Sequence, residues 1–400
     1  MNEQNKKVPT IRFKGFTDDW EQRKLENIGK IVTGNTPSKK NKQYYLNGKL
    51  PFVSPIDINN NRYIEHTQSH VTELGFEHGR KLPKNTVLFV CIGSTIGKVA
   101  QLIQSAITNQ QINSIVVSKK YKSDFIYSEL YKLSDEIKLL ASNQAVPIIN
   151  KKTFGNIQIN VTNIDEQEKV GKLFKYLDKA ITLHQRKLVL LKQLKKGLLQ
   201  KMFADKDSKQ PILRFKGFHD DWEQRKLGEV FLYKQGIQVP VEQQYSQKLP
   251  GLIRFIRISD IVSSNEPPRF INYHGTNLIK PDDLFMVRYG NPGMISMGYS
   301  GVIANNLFRL IPKKNIYTLF FYFLLIFENK RLNSLVSNTT MPALSFKALD
   351  TFYVNFPEKL SEQKVIGSLL KKLDSLITLQ QRRLTKLNTI KKSLLQQMFI

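Results

Sequence analysis

The sequence DEQEKVGKLFKYLDKAITLHQRKLVLLKQLKKGLLQKMFA runs from Asp165 to Ala204 without a proline, and most of its residues favour helices. Its apolar residues recur at helical spacing. They are Val170, Leu173, Leu177, Ile181, Leu188, Leu191, Leu194, Leu198 and Met202. The pattern predicts one long amphipathic helix whose apolar stripe must be buried.

The same pattern returns at the end of the chain, where Ser361 to Ile400 reads SEQKVIGSLLKKLDSLITLQQRRLTKLNTIKKSLLQQMFI. The two copies align without a gap, so that Gly171 falls on Gly367. About half of the aligned positions are identical, which is more than unrelated amphipathic helices share. The long helix is therefore duplicated.

A second duplication precedes each half of the chain. Residues 9–25 read PTIRFKGFTDDWEQRKL, and residues 211–227 read PILRFKGFHDDWEQRKL. The offset of about 200 residues is the size of a domain, which indicates a tandem duplication rather than a solenoid.

Two segments of about 150 residues lie between these repeats, and their sequences differ although their layout agrees. Each shows a strand-like run ending in aspartate, a second strand and a glycine-containing loop. The aligned pairs are 51–58 with 254–261, 87–93 with 283–290, 93–99 with 290–296, and 142–150 with 337–345. We predict an α+β fold with two mixed α/β domains, each followed by a long helix.

The apolar stripe of each long helix needs a partner, and the stripe of its copy is the obvious one. Two copies of one unit tend to pair about a pseudo-two-fold axis, which makes the helices antiparallel. We predict an antiparallel coiled coil with the interface Val170, Leu173, Leu177, Ile181, His184, Leu188, Leu191, Leu198, Ile366, Leu369, Leu373, Ile377, Gln380, Leu384, Leu387 and Leu394. The alternative is that each helix packs independently on its own domain.

One polar pair bears on this pairing. His184 lies near the middle of the first helix in the apolar phase, and Gln380 is its counterpart in the second. We hypothesise that the two residues lie close to the crossing point and set the register, as polar core residues do in coiled coils. The alternative is that both side chains face solvent.

The composition indicates a basic globular protein. The 400 residues include 61 Lys and Arg against 33 Asp and Glu, a formal net charge of +28. Such an excess favours a polyanionic partner, nucleic acid first, although a solvated lysine-rich surface is the alternative. Cys91 is the sole cysteine, so an internal disulfide is excluded.

The longest apolar run, Ile316 to Phe327, is shorter than the roughly 20 residues that a membrane helix needs. We predict that it is a buried core helix. The N-terminal residues lack the apolar core of a signal peptide, so we expect a cytoplasmic protein.

Catalytic motifs are absent from the sequence. Residues 93–99, GSTIGKV, approach a phosphate-binding loop but are one residue short and lack the final hydroxyl. Residues 265–270, NEPPRF, resemble an adenine methyltransferase tetrad but carry an inserted Glu and an Arg in place of the aromatic residue. The histidines form no metal pair, and a single cysteine makes a zinc site improbable.

Loop residues offer the chemistry of DNA recognition, since Asn and Gln suit adenine edges, Arg suits guanine, and Lys and Ser bind phosphates. In the first domain the candidates are Ser38, Lys39, Lys40, Lys42, Arg62, Ser94, Thr95, Lys98, Asn109, Gln110 and Gln111. In the second they are Arg254, Arg257, Arg269, Arg288, Tyr289, Asn291, Asn305 and Asn306. Asp57 and Asp260 are able to accept from cytosine, but capping a turn is the role we favour.

The paired helices, the duplicated RFKGF-DDWEQRKL openings and the order domain, helix, domain, helix resemble the specificity subunit of type I restriction-modification systems. The resemblance implies target recognition domains at 1–161 and 205–357, and long helices at 162–204 and 358–400. It further implies that each domain reads one half of a split, asymmetric DNA target. The helices would act as a ruler that sets the gap.

The same resemblance implies partners. Two methyltransferase subunits would dock on the helices, and motor-nuclease subunits would join for restriction. S-adenosylmethionine, ATP and Mg²⁺ would belong to those partners, with no cofactor, metal or membrane bound by this non-catalytic chain. Lys195-Lys196 and Lys391-Lys392 would lie on exposed basic faces, free for partner helices or DNA.

Two other classes of function remain open. A self-sufficient methyltransferase or nuclease with unrecognised motifs would methylate or cut DNA alone. A structural coiled-coil or RNA-binding protein would show no preference for any duplex sequence.

Overall fold

The computed structural model describes residues 8–59, 61–141, 147–262, 266–336 and 342–400. The chain forms two compact units. The first contains the chain up to Lys187 together with Gln380–Ile400, and the second contains Leu188–Leu379. Each unit therefore takes a part of both long helices. The predicted domain boundaries remain a prediction, and most of the predicted pair 142–150 and 337–345 lies outside the described residues.

Within the described ranges, the first unit contains ten short strands, five short α-helices and a 3-10 helix, Lys42–Tyr44. The strands are β1 (Glu21–Lys24), β2 (Gly29–Thr33), β3 (Leu50–Val53), β4 (Tyr63–Ile64), β5 (Ser69–Val71), β6 (Val87–Val90), β7 (Val99–Leu102), β8 (Ile107–Thr108), β9 (Ile112–Val117) and β10 (Gln158–Val161). The helices are α1 (Leu25–Ile28), α2 (Glu73–Glu77), α3 (Ser123–Lys132), α4 (Ser134–Leu139) and α5 (Lys151–Asn156).

A five-stranded sheet of order β2-β9-β6-β7-β4 forms the centre of this unit, beside a β5-β3-β8 sheet and a β1-β10 ribbon. Strands β6 and β7 are buried throughout. One face packs on α3 in the main core cluster, and the other packs in a second cluster with Val53 and Ile58. The core includes Trp20 of the repeated opening, Phe125 and Phe154.

The second unit repeats this plan, with nine strands, five short α-helices and a 3-10 helix, Val241–Gln243, among the residues described. The strands are β11 (Glu223–Lys226), β12 (Phe231–Gln235), β13 (Leu252–Ile256), β14 (Arg269–Asn272), β15 (Leu284–Val287), β16 (Ile295–Ser296), β17 (Val302–Ile303), β18 (Leu307–Pro312) and β19 (Tyr353–Phe356). The short helices are α7 (Leu227–Val230), α8 (Ile258–Val262), α9 (Thr318–Phe327), α10 (Asn329–Asn333) and α11 (Phe346–Asp350).

Its sheets have the orders β12-β18-β15-β16, β14-β13-β17 and β11-β19. The predicted core helix is confirmed as α9, which buries Phe320, Phe321, Phe323, Leu324 and Leu325. Both units are mixed α/β structures, so the predicted fold class is confirmed.

The long helices are α6 (Ile164–Met202), between β10 and β11, and α12 (Leu360–Met398), each of 39 residues. In the first unit, Val170 and Phe174 of α6 pack with Leu395 and Met398 of α12, so the first part of one helix meets the last part of the other. In the second unit the order is reversed, and Met202 packs in the same cluster as Ile366. The antiparallel pairing is therefore confirmed, and independent packing of each helix is excluded.

Each helix also supplies an aromatic residue to a core, which the periodicity did not indicate. Phe399, just past the end of α12, lies 5.1 Å from Phe125 and 5.5 Å from Phe174 between ring centroids. Its counterpart Phe203 lies 5.4 Å from Phe320 in the second unit. Phe399 thus helps to complete the core of the first unit.

Every predicted interface residue of the coiled coil is buried or half-buried, but Leu194 of the same stripe is 52% exposed. In the heptad pattern, Lys195 rather than Leu194 occupies the seam position. Its Nζ atom lies 2.6 Å from Asp374 Oδ1. The counterpart pair in the first unit is Lys391 Nζ with Asp178 Oδ1, also at 2.6 Å. The expectation that Lys195 and Lys391 are free basic residues is therefore wrong, since both are engaged along the seam.

The strand-like runs that end in aspartate are shorter than predicted. Strand β3 ends at Val53, and a turn leads from it to Asp57. Strand β13 ends at Ile256, and Asp260 lies in the short helix that follows. The Oδ2 atom of Asp57 accepts from the Ser54 amide at 2.8 Å, and that of Asp260 accepts from the Arg257 amide at 2.8 Å. Each aspartate side chain accepts a hydrogen bond from the amide three residues before it. This contact closes a turn, so the chain leaves the extended conformation there.

Candidate DNA interface

Four loops meet at one end of the sheets in the first unit. The pairing of Thr33 with Asn113 and of Val90 with Ile112 places the loops after β2 and β6 beside the turn before β9. Strand β3 ends alongside β8, so its loop joins the same end. Backbone hydrogen bonds tie the loops together, for example from the Cys91 amide to the Gln111 carbonyl at 2.8 Å. We call this end the reading end.

The second unit has an equivalent reading end. Strands β12 and β15 end opposite Phe308 and Leu307 of β18, and β13 ends beside Ile303. The Arg288 amide donates to the Asn306 carbonyl at 2.8 Å, as Cys91 does to Gln111 in the first unit. The two reading ends share a backbone frame and differ in side chains.

Two glycines, which sequence reasoning missed, allow the backbones at each reading end to approach closely. A Cβ atom at Gly34 would lie 2.1 Å from the Asn109 carbonyl oxygen, and one at Gly236 would lie 2.1 Å from that of Ala304. Only glycine permits so close an approach of two backbones. The signal was available, since the offset between Gly34 and Gly236, 236 − 34 = 202, equals the offset between the repeated openings, 211 − 9 = 202.

The glycine-containing loops turn as predicted. Gly93 and Gly290 adopt φ values of 94° and 97°, in the left-handed region that glycine reaches without strain. Ser94 at the start of the first loop and Asn291 in the second are exposed. Thr95 and Lys98 are half-buried in the same loop of the first unit.

Most candidates of the first unit gather at its reading end. Ser38, Lys39 and Lys40 follow β2 and are exposed. Lys42 is also exposed, but it begins a short 3-10 helix that bonds to Thr72 beside the start of β3, away from this end. The turn before β9 carries the half-buried Asn109 and Gln111 and the exposed Gln110. Thr36 Oγ1 donates to Gln110 Oε1 at 2.6 Å and so joins two of the loops. Lysines and amides therefore share this surface.

Arg62 does not belong to this surface, and its prediction as a DNA-binding residue is wrong. The residue is 2% exposed, and its guanidinium lies over the Tyr127 ring, 4.2 Å from the centroid. Its nitrogens donate to Gln101 Oε1 at 3.0 Å, to Asp178 Oδ2 at 3.1 Å and to Asp124 Oδ1 at 3.0 Å. Its desolvated charge is compensated by these acceptors, so Arg62 ties the sheet and α3 to α6.

Candidates of the second unit surround a cavity of about 240 Å³ at its reading end. The half-buried Arg257, Tyr289, Asn305 and Asn306 line it. The Oδ1 atom of Asn306 is buried and accepts no hydrogen bond from the described residues.

Most of the candidate arginines of this unit are already engaged. Arg254 Nη2 lies 2.6 Å from Asp260 Oδ1, and Arg257 Nε lies 3.2 Å from Oδ2 of the same carboxylate. Arg288 donates to Gln235 Oε1 at 2.8 Å, and its guanidinium lies 5.1 Å from the Phe346 ring centroid. Arg269 is half-buried at the start of β14, next to the end of β13. Three of the four candidate arginines are thus held in fixed orientations.

Both units anchor the start of their long helix in the same way. Arg12 donates to both oxygens of Glu166 at 2.7 and 2.8 Å, and Arg214 donates to those of Glu362 at 2.8 and 2.9 Å. These hydrogen bonds raise the pKa of each arginine above its usual value. The duplicated Arg-Phe of the openings and the duplicated Glu-Gln of the helices were the sequence signal for this contact.

The described residues contain no group of three or more His, Cys, Asp or Glu side chains able to hold a metal ion. Among them, no helix combines the length and the apolar character needed to cross a bilayer. Of the methyltransferase-like segment, Asn265 lies outside the described residues and Arg269 begins a strand.

Comparison with known proteins agrees with two duplicated reading units. The model of the type I restriction modification DNA specificity domain matches residues 17–193 and 219–389. The MjaIX type I restriction enzyme specificity subunit of Methanocaldococcus jannaschii is 25% identical over 410 residues, covering 94% of this chain and 92% of the relative. The HindI specificity subunit of Haemophilus influenzae is 32% identical over 145 residues, covering 35% of this chain and 31% of the relative.

The fold is similar to that of the type I restriction-modification S subunit from M. genitalium, with a TM-score of 0.72 and 18% identity. That comparison covers 98% of this chain and 99% of the other. The molecule is thus a DNA specificity protein with two specificity domains. It belongs to the family of type I restriction-modification specificity subunits.

Proposed function

We propose that this chain recognises a bipartite, asymmetric DNA target, with one half-site read by each unit. The observation that carries the proposal is the pair of equivalent reading ends with unlike side chains. Lysines, Gln110 and Gln111 occupy the first, whereas Tyr289, Asn305 and fixed arginines occupy the second. One scaffold that presents two different donor and acceptor patterns is suited to two different base sequences.

The long helices set the gap between the half-sites in this proposal. Each has 39 residues and, at 1.5 Å per residue, a length of about 58 Å. Their seam joins segments of both helices within each unit through ion pairs and buried leucines. A fixed spacing of reading elements determines half-site spacing in other DNA-binding proteins.

The chain would act as a non-catalytic adaptor in the cytoplasm. Two methyltransferase subunits would dock on the helices and modify adenine, and motor-nuclease subunits would join them for restriction. S-adenosylmethionine, ATP and Mg²⁺ would bind to those partners rather than to this chain. The specificity subunits named among its relatives support this division of labour.

A domain exchange tests the proposal. Residues 30–160 are replaced by the equivalent segment of another family member, and methylated sites are mapped genome-wide in cells that also carry the partner subunits. We expect one half-site to change while the other half-site and the gap persist. Loss or change of both half-sites would refute the modular function, and methylation or cleavage by the purified chain alone would indicate an enzyme.

A further inference from the structure

A groove of about 580 Å³ lies in the first unit beside the loop after β6. Its walls are that loop, the end of α3, α4 and the last third of α12, and five lysines line it. Lys132 donates to the backbone oxygen of Ile400, and Lys391 is described below. The other three are Lys98 from the loop, Lys138 from α4 and Lys392 from α12. We call this feature the basic groove.

The charge of the basic groove is not compensated within the chain. Lys98, Lys138 and Lys392 form no ion pair with a carboxylate of the described residues, and Asp135 is the one acidic residue among those lining the groove. Lys391 also lines it, but Asp178 neutralises this lysine and its Nζ lies 3.9 Å from the Tyr131 ring centroid. Three neighbouring cations without a carboxylate partner favour an anionic ligand.

The basic groove adjoins the reading end. Its loop leaves β6 where β6 meets the start of β9, and the Val90 amide donates to the Lys98 carbonyl at 2.9 Å. A Cβ atom at Gly97 would lie 3.3 Å from the Ser134 carbonyl oxygen, so the loop packs directly on the start of α4. A ligand in the basic groove is therefore next to any base that the loop reads.

The second unit lacks two of these three cations. In the first unit the Val90 amide donates to the Lys98 carbonyl. In the second unit the equivalent amide, that of Val287, donates to the Met294 carbonyl at 2.8 Å. Met294 therefore occupies the position of Lys98. The next loop glycine, Gly293, packs against Asn333 instead of a lysine. Lys196 is the helix counterpart of Lys392 and provides a matched control.

We propose that the basic groove binds backbone phosphates of the DNA next to the half-site that the first unit reads. Lys392 then makes the C-terminal helix part of the DNA-binding surface. The inference rests on the proposed function, because it assumes that the duplex lies on the reading end. Backbone phosphates fit better than an acidic protein surface, since a duplex on the reading loop continues past its edge with evenly spaced charges.

Salt-dependent binding tests the proposal. The triple variant Lys98→Gln, Lys138→Gln, Lys392→Gln is compared with Lys119→Gln, Lys120→Gln, Lys196→Gln, which removes three lysines outside the basic groove. Fluorescence anisotropy measures the affinity of the full-length chains for a duplex carrying the mapped target and for a scrambled duplex, over a series of NaCl concentrations. Each phosphate contact contributes about 0.9 to the slope of log K against log salt.

We expect the groove variant to lower that slope by about 2.7 and to weaken binding by the same factor on both duplexes, because phosphates carry no sequence. The control variant should keep the wild-type slope. An unchanged slope in the groove variant, or an equal change in the control, would overturn the proposal. An unchanged slope with lost binding of methyltransferase subunits would assign the basic groove to a protein partner instead.

The proposed function fails by a different result, namely a wild-type chain with its methyltransferase subunits that binds target and scrambled duplexes equally. In that case the difference in salt slope between the two triple variants still shows whether the basic groove binds phosphates.

Discussion

The side-chain amide of Gln380 donates a hydrogen bond of 3.2 Å to the backbone carbonyl of His184 and contacts the Nδ1 atom of its imidazole. Gln380 is 3% exposed, in a seam otherwise filled by residues such as Ile181 and Leu384. A slip of the helices would place this amide against leucine, where it would lose its partner at a cost of about 1–3 kcal/mol. The register-setting role of the pair stays a prediction.

Replacement of the amide tests that role. We expect Gln380→Ala to lower the free energy of unfolding of the first unit by about 1–2 kcal/mol, because a buried polar contact is lost and a small cavity is left. Urea unfolding followed by circular dichroism measures the change. The exposed Arg383→Ala on the same helix should stay within about 0.5 kcal/mol of the wild type. Equal effects of the two variants would remove any special role of Gln380.

Arg62 should act on stability rather than on DNA. Arg62→Ala leaves the buried Asp178 and the partly buried Asp124 with one cationic partner less each, and loss of one member of a buried ion cluster costs about 3–5 kcal/mol. We expect calorimetry to show a lower melting temperature for the first unit and an unaltered second unit. The exposed Lys39→Ala should keep the melting temperature and weaken DNA binding. Unaltered melting of Arg62→Ala with weakened DNA binding would restore the original assignment.

Glu129 gives the first unit a pH dependence. The residue is fully buried in α3, and desolvation raises its pKa to about 7, partly offset by Lys132. The folded state therefore binds a proton more tightly than the unfolded state, whose glutamate has a pKa of about 4.3. This contribution to stability is fully present below about pH 4.3, is lost as the pH rises from there to about 7, and does not change further at higher pH.

The neutral variant Glu129→Gln should remove this dependence. We expect it to be more stable than the wild type at pH 8, by up to about 3 kcal/mol, and to match it more closely at pH 5. Urea unfolding at the two pH values measures the difference. If the difference in free energy of unfolding between wild type and variant is the same at both pH values, Glu129 remains charged in the folded state.

The length of the long helices should appear in the DNA target. Seven residues inserted after Gln185 and after its counterpart Gln381 keep the heptad phase and add about 10 Å to each helix. We expect methylation mapping to show unaltered half-sites and a gap longer by about three base pairs, at 3.4 Å per base pair. The same insertion in the exposed segment 246–250 should leave the gap unaltered. An unaltered gap in the helix variant would refute the ruler.

The repeating patterns in the sequence predicted those features of the fold that depend on local sequence. The duplicated 39-residue helices, their antiparallel pairing and the glycine turns at Gly93 and Gly290 follow from repeating patterns and from backbone sterics. The heptad phase also passes through Lys195 and Lys391, and that phase was the signal for their engagement in the seam. Their long aliphatic stems allow lysines to occupy seam positions and still reach a carboxylate.

Local sequence could not separate the roles of similar residues. Arg62 and Lys39 are both cations next to short strands, yet one is buried among Gln101, Asp124 and Asp178 while the other is exposed. Burial of Arg62 depends on acceptors from the sheet, α3 and α6, which meet only in the folded chain. The basic groove depends likewise on three separate elements.

The sequence by itself determined the duplication, the two long helices, the phase of their seam and the family of the protein, because each is written as a repeat or a period. Tertiary structure alone decided that Phe399 completes the core of the first unit and that Arg62 is withdrawn from its surface. The physical reason is that burial and charge compensation are set by residues remote in sequence, which no local pattern records.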